Sequence, residues 1–459
     1  MFYFLIIIYL VLGILGYQIG WAVYQYDELR LLQFPIALLA LITIFFRKIV
    51  LSWETQLTFY LIGLVIFFNC LRYGIFQLQE LCSVLILLFI LVALITDQYY
   101  KKYFYHASAV LIFSATLPCL FIFPSLFYFI TEQKWLDWQF NSGSIRIYDS
   151  VIVPLFFLLI LLKNKNYPYS KFFFPAVVFL FTLVWLFDGA RSALLSVILG
   201  LIVLFLFSKA ERGLVFSTFL YMFLAFALYK GIFVLFTEFN TVSLVNTVEL
   251  TDKKIGESQN PIVARNLEIL RTGSSLRAEM WLFMFEQWKQ DPFWGVGGGY
   301  LAKIGYPYGH HIHNFYLRMI FEWGVIGLIF LLWAFYKVVL LFKDKSVNII
   351  LKTGLIALLV DAIFSGNMVY PLSQISCILF ISFIFSQRYL NKEKIIFNAE
   401  LWTSKLFFIV WGSIFIYITL IYFYQDLTCW GCISSGGRMA PNFWEFGAAG
   451  HLTYSNQAN

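Results

Sequence analysis

Residues 310–342 read HHIHNFYLRMIFEWGVIGLIFLLWAFYKVVLLF: a polar, histidine-rich start, then an apolar stretch from Gly324 to Phe342 interrupted by one lysine, Lys337. The apolar part has the length and composition of a membrane-spanning helix. His310, His311 and His313, three of the five histidines in the chain, therefore sit at the mouth of a helix returning to the bilayer. Histidine is the side chain whose ordinary pKa lies nearest neutrality. A water–lipid boundary that concentrates it is the first place to look for chemistry.

Stretches of the same kind recur from end to end. With 61% hydrophobic and 12% charged residues and a mean hydropathy of +0.80, the 459-residue chain has too few polar side chains to cover a soluble globule of its size. The pattern predicts an all-α, polytopic transmembrane helical bundle of about thirteen spans. They fall near 2–24, 31–46, 57–71, 81–96, 107–130, 151–162, 172–187, 192–207, 214–236, 324–342, 347–364, 371–386 and 405–424. The span at 151–162 is short and borrows reach from Lys163 by snorkelling.

Every second connection is basic: Arg47-Lys48, Lys101-Lys102, Lys163 with Lys165 and Lys171, Lys209 with Arg212, Lys343 with Lys345, and Arg388 with Lys392 and Lys394. The positive-inside rule puts these in the cytoplasm. Segment 132–150, the turn Asp188–Arg191, the long partly helical loop 237–323 and the tail then face outward. This divides the chain into an N-terminal bundle (1–236), the outer loop (237–323), C-terminal helices (324–424) and an outer tail (425–459). The net charge of +7 is accounted for by loops that orient the protein and touch anionic membrane lipid, and no nucleic-acid partner is expected. The start Met1-Phe2-Tyr3 has no basic n-region, so the first span is expected to be retained. Cys70, Cys82, Cys119 and Cys377 lie in or beside spans, whereas Cys429 and Cys432 form a C-x-x-C in the outer tail, with a structural or incidental role expected over a redox one.

A loop as long as 237–323 is a functional element more often than a connector. Within it Leu276, Met280, Trp281, Phe283, Met284, Phe285 and Trp288 predict an amphipathic helix, with Ser275 as its N-cap. Arg277 falls in the first turn, where a cation opposes the helix dipole, so an anionic partner is expected for it. Asp291–Tyr300 (DPFWGVGGGY) reads as a helix stop followed by glycines, either a flexible connector or a place of close backbone approach. His313 is the candidate general base, because a near-neutral imidazole can take a hydroxyl proton. His310 and His311 are weaker candidates, and an interfacial role is the alternative for all three. Asn314 is positioned to cap the returning helix, with Arg318 and Glu322 as an i, i+4 pair upon it. Inside the spans the clear ionisable residues are Lys352 and Asp361. The clustered histidines lack a carboxylate trio and the outer loops lack an Asp-x-Asp pair, so no metal or other cofactor is expected.

The order Arg277-x-x-x-Trp281, Asp291-Pro292-Phe293-Trp294-Gly295-Val296-Gly297, His313-Asn314-x-x-Leu317 and Glu322-x-Gly324-x-x-Gly327 resembles the signature of the bacterial O-antigen ligase and O-antigen polymerase superfamily. The turn Gly189-Ala190-Arg191-Ser192-Ala193-Leu194-Leu195 resembles that family's other arginine motif. The resemblance implies a metal-independent, inverting glycosyltransferase of the bacterial cytoplasmic membrane with its site facing the periplasm. Its donor would be an undecaprenyl-pyrophosphate-linked glycan. Its acceptor would be a second lipid-linked glycan for a polymerase, the reading preferred here, or the lipid A core for a ligase. A chain-length regulator is a further possible partner. Arg191, Arg277 and His313 become the catalytic candidates, and Arg265, Arg271, Arg146, His310, His311 and Asn314 the candidates for substrate binding. A transporter of lipid-linked glycan is the rival from another class, and it would need polar residues deep in several spans.

Overall fold

The computed structural model describes residues 2–21, 25–47, 49–74, 77–132, 145–248, 277–304, 312–390 and 398–428. Its helices are α1 (Phe2–Ile14), α2 (Gln25–Phe45), α3 (Trp53–Tyr73), α4 (Leu78–Ile95), α5 (Gln98–Cys119), α6 (Ile122–Glu132), α7 (Ile145–Asn164), α8 (Ser170–Phe187) and α9 (Arg191–Phe207). They continue with α10 (Arg212–Val248), α11 (Arg277–Trp288), α12 (Tyr300–Lys303), α13 (Phe315–Lys343), α14 (Ile349–Phe364), α15 (Pro371–Leu390), α16 (Asn398–Ile421) and α17 (Tyr424–Thr428). Among the described residues, nine helices are long and apolar enough to cross a membrane, and Phe2–Ile14, Arg191–Phe207 and Pro371–Gln387 are shorter apolar helices. The protein is a multi-pass helical membrane protein, and the spans expected from hydropathy fall on these helices, with 107–130 divided between α5 and α6 and 2–24 helical only in its first part.

The core sits around α7. Residues 151–162 are buried almost without exception, and α7 touches α5, α8, α9, α14 and α15. That position explains why so short an apolar run suffices: with neighbours on all sides, α7 meets protein where other spans meet lipid. Gly200 on α9 and Gly354 on α14 let their helices close on this centre. A Cβ at Gly200 would fall 2.5 Å from the Phe157 ring, and one at Gly354 would fall 2.5 Å from Phe380. Small residues at such contacts are how helices approach closely in a membrane.

Three expectations need correction. Among the described residues the first span is helical only over Phe2–Ile14, because Gly16 turns left-handed (φ 71°) and the N–H groups of Gly16 and Tyr17 close the helix on the carbonyls of Gly13 and Leu12; beyond this cap the Glu28 carboxylate accepts from the N–H groups of Ile19, Gly20 and Trp21. Tyr148 and Asp149 are not loop residues: they lie buried in the first turns of α7, where the Tyr148 hydroxyl donates to the Ala115 carbonyl. Lys352 and Asp361 are not the only ionisable residues within the spans: Lys337 lies in α13, and Arg30 of α2 is 1% exposed and donates to Gln33, Gln374 and the Val369 carbonyl.

A second, small core lies beside the main one. Met280 and Met284 of α11, Leu301 of α12, Ile312 and Phe321 form it, with Trp281, Trp288 and Leu317 packed around them. The segment Arg277–Lys303 thus folds back onto the first turns of α13. Sequestering those aromatic rings removes an apolar patch that would otherwise face water.

Candidate functional site

The site is built around a break in α13. At Gly324 the backbone leaves the helical region (φ 61°, ψ −147°), so the carbonyls of Phe321 and Glu322 lose their helical partners. The segment 292–297 supplies replacements: Val296 N–H donates to Phe321 O (2.9 Å), Gly297 N–H to Glu322 O (3.0 Å), and Val325 N–H reaches the carbonyls of Pro292 and Phe293 (3.1 Å each). Non-helical backbone at the edge of a membrane is tolerated when its polar groups are satisfied in this way. The glycines permit the approach. A Cβ on Gly324 would lie 2.2 Å from Phe293 O, and one on Gly295 would lie 2.5 Å from Glu322 O. The glycine segment therefore meets the protein's own α13. Gly324→Ala combines that clash with a backbone conformation that is almost confined to glycine, a strain of about 1–3 kcal/mol by itself. We expect a clear fall in melting temperature for the detergent-solubilised variant; wild-type melting would mean that the break is dispensable.

The α3–α4 turn holds the same segment from the other side. Arg72 pairs with Asp291, the Tyr73 hydroxyl donates to Gly295 O (2.6 Å), and the Gln77 carboxamide exchanges two hydrogen bonds with the Gly298 backbone (2.9 and 3.0 Å). Arg318, on the first part of α13, donates to Glu322 (2.9 Å), as its spacing predicts, and also to Glu80 of α4 (2.5 Å). The Gly299 N–H adds a further donor to the Glu322 carboxylate. Tyr300 donates to Gln287 of α11 at 3.0 Å, and burial pushes its phenol above the ordinary tyrosine pKa.

His313 stands at the rim of this layer. Its φ is 53°, left-handed for a residue with a Cβ. Such conformations persist where neighbours over-determine them, and they cluster at functional sites. The neighbours here are plain. Ile312 is fully buried in the second core and its carbonyl accepts from the Trp281 indole at 2.9 Å. Asn314 caps α13, its side-chain oxygen accepting from Leu317 N–H at 3.0 Å. The imidazole is half-buried between two anchored residues.

Arg277 opens α11 one turn before Trp281, roughly 6 Å along the helix from the indole that holds Ile312. The fold thus brings the elements carrying Arg277 and His313 together. Arg191 opens α9 after the Asp188-Gly189 turn, is exposed, and its charge reaches the Tyr229 hydroxyl on α10. Arg265, Arg271, His310, His311 and the capping Ser275 lie outside the described residues, as do the Arg146 side chain and the Cys429–Cys432 pair. What the sequence reading passed over is Glu80, Gln77 and Tyr73. Their only signal was polarity at the ends of two apolar helices.

No curated protein matches the chain, and no solved structure does. Residues 175–332, which include Arg191, Arg277 and His313, match the family model described as O-Antigen ligase, so about a third of the chain is similar to that family over the stretch that carries its candidate residues.

Proposed function

We propose that the protein transfers a glycan from an undecaprenyl-pyrophosphate carrier to a hydroxyl acceptor at the periplasmic face of the bacterial inner membrane, with a second lipid-linked repeat unit as acceptor. The observation that carries this reading is the strained, two-sided anchoring of His313 beside the helix that Arg277 opens. In the proposed reaction the acceptor oxygen attacks the anomeric carbon and its proton passes to the His313 imidazole. As the new C–O bond forms, the bond from the anomeric carbon to the diphosphate breaks on the opposite face, and the electron pair leaves with the diphosphate. Arg277 and Arg191 would meet the charge that develops there with forked, permanently charged donors. Inversion without a metal ion is part of the proposal because the resemblance implies it. Arg265, Arg271, Arg146, His310 and His311 are proposed as glycan or diphosphate contacts. Asn314 would act through its cap, by fixing the peptide that carries His313.

The description of the matched family model favours a second reading, in which the acceptor is the lipid A core. Deleting the gene and resolving the surface glycan by gel distinguishes the two. A ladder collapsed to one repeat supports polymerisation, loss of all glycan from the core supports ligation, and an unchanged ladder removes both. Arg277→Lys tests the clamp: lysine keeps the charge and loses the fork, so turnover should fall by roughly 10²–10³. Wild-type turnover in that variant would reduce Arg277 to a point charge.

A further inference from the structure

A slot of 310 Å³ runs between α3, α4, α13 and α15. Along α4 its wall extends from Gln79 to Leu91, roughly 18 Å at the rise of a helix. A volume of that size spread over that length is a channel for a chain and too narrow for a folded headgroup. The walls are apolar, among them Ile62, Ile66, Val84, Leu87 and Phe330. α3 packs on α4, and α13 on α14 and α11, leaving the slot between the two pairs, with Lys337–Glu54 joining α13 to α3 (2.5 Å).

The polar end carries the informative group. The Gln79 carboxamide is 1% exposed and lines the slot, and neither its nitrogen nor its oxygen has a hydrogen-bond partner among the described residues. A buried amide in that condition is costly, and a ligand that meets it recovers the cost. The charged groups at this end are already engaged: Arg318 by Glu80 and Glu322, and Arg30 by Gln33, Gln374 and Val369 O. Arg318 faces both carboxylates and Arg30 is held by neutral acceptors, and the two guanidiniums are matched in number by Glu80 and Glu322, so the rim has no excess positive charge to hold a diphosphate. The length points the same way. Roughly 18 Å is little more than half of the roughly 30 Å hydrocarbon core, the reach of one leaflet's acyl chain. A polyprenyl carrier is several times longer.

We propose that this slot holds one acyl chain of a zwitterionic bilayer phospholipid, with its ester carbonyl accepting from the Gln79 carboxamide. This goes beyond the glycosyl-transfer reading and does not rest on it. The test uses full-length protein in mild detergent, with phosphatidylethanolamine as the probe. Native mass spectrometry should find about one such lipid retained per chain. Leu87→Trp fills the slot, and should retain roughly tenfold less or lower, because excluding even two methylenes forfeits that much. Should that variant not fold, photo-crosslinking needs no substitution: phosphatidylethanolamine with a diazirine in its acyl chain should label wild-type peptides containing Val84–Leu91. Added phosphatidylethanolamine should also raise the melting temperature of the wild type more than that of Gln79→Leu. Polyprenyl diphosphate retained in a Leu87-dependent manner, labelling elsewhere than the slot, or equal lipid stabilisation of Gln79→Leu would overturn the assignment.

Discussion

Turnover of lipid-linked glycan falls by roughly 10²–10⁴ when His313 becomes alanine, while donor binding changes little, if the imidazole removes the acceptor proton. The backbone allows a second variant to separate chemistry from folding. Alanine at φ 53° keeps the left-handed strain of the native residue, whereas glycine relieves about 1–2 kcal/mol of it. The extra freedom of glycine in the unfolded chain returns about 0.4–1 kcal/mol. His313→Gly should therefore be as inactive as His313→Ala and melt no lower than it. Enzyme of either kind that turns over near the wild-type rate would remove the base assignment and leave the arginines as the defensible chemistry.

The largest loss of stability is expected from Arg318→Met. Its guanidinium lies between Glu80 and Glu322, which are 15% and 1% exposed at their side chains, so its removal leaves two carboxylates facing each other with no cation between them. Removing one partner from a buried ion group costs about 3–5 kcal/mol. Most of that is the penalty on the stranded charges. Adding Glu80→Gln to Arg318→Met should accordingly recover part of the loss, a coupling that a double-mutant cycle in melting experiments measures. Wild-type stability in Arg318→Met would mean that water reaches the triad freely.

How far the sequence spoke depended on the range of the interaction. Spans such as α8 and α9 were legible almost to the residue, because apolar length decides them locally. The Asn314 cap and the Arg318–Glu322 pair were legible for the same reason, being separated by three and four residues. The end of α1 also had a local signal, Gly16 in its left-handed cap, which the apolar run through residue 24 masked; the turn beyond it, where Glu28 gathers three backbone N–H groups, had none. Glu80 and Gln77 looked like ordinary polar residues at a helix start. What makes them part of the site is Arg318 and Gly298, more than two hundred residues further on, and periodicity carries no information about such partners. His313 was visible as a histidine beside a cap. Its left-handed backbone was not, since it follows from Ile312 being pinned by Trp281.

The distance in sequence between Glu80 and Arg318 also sets a timetable for biogenesis. They are 238 residues apart, and at ordinary translation rates of about 5–20 residues per second the ribosome needs roughly 10–50 s to make the second after the first. During that interval the nascent N-terminal helices carry Tyr73, Gln77 and Glu80 at an unfinished edge, open to water and to insertion or quality-control factors. The layer around the break assembles only when α13 arrives and the 292–297 segment closes over it. Premature termination before Ile312 therefore leaves an inserted bundle with no His313 peptide and an exposed acidic edge, a species for proteolysis to clear.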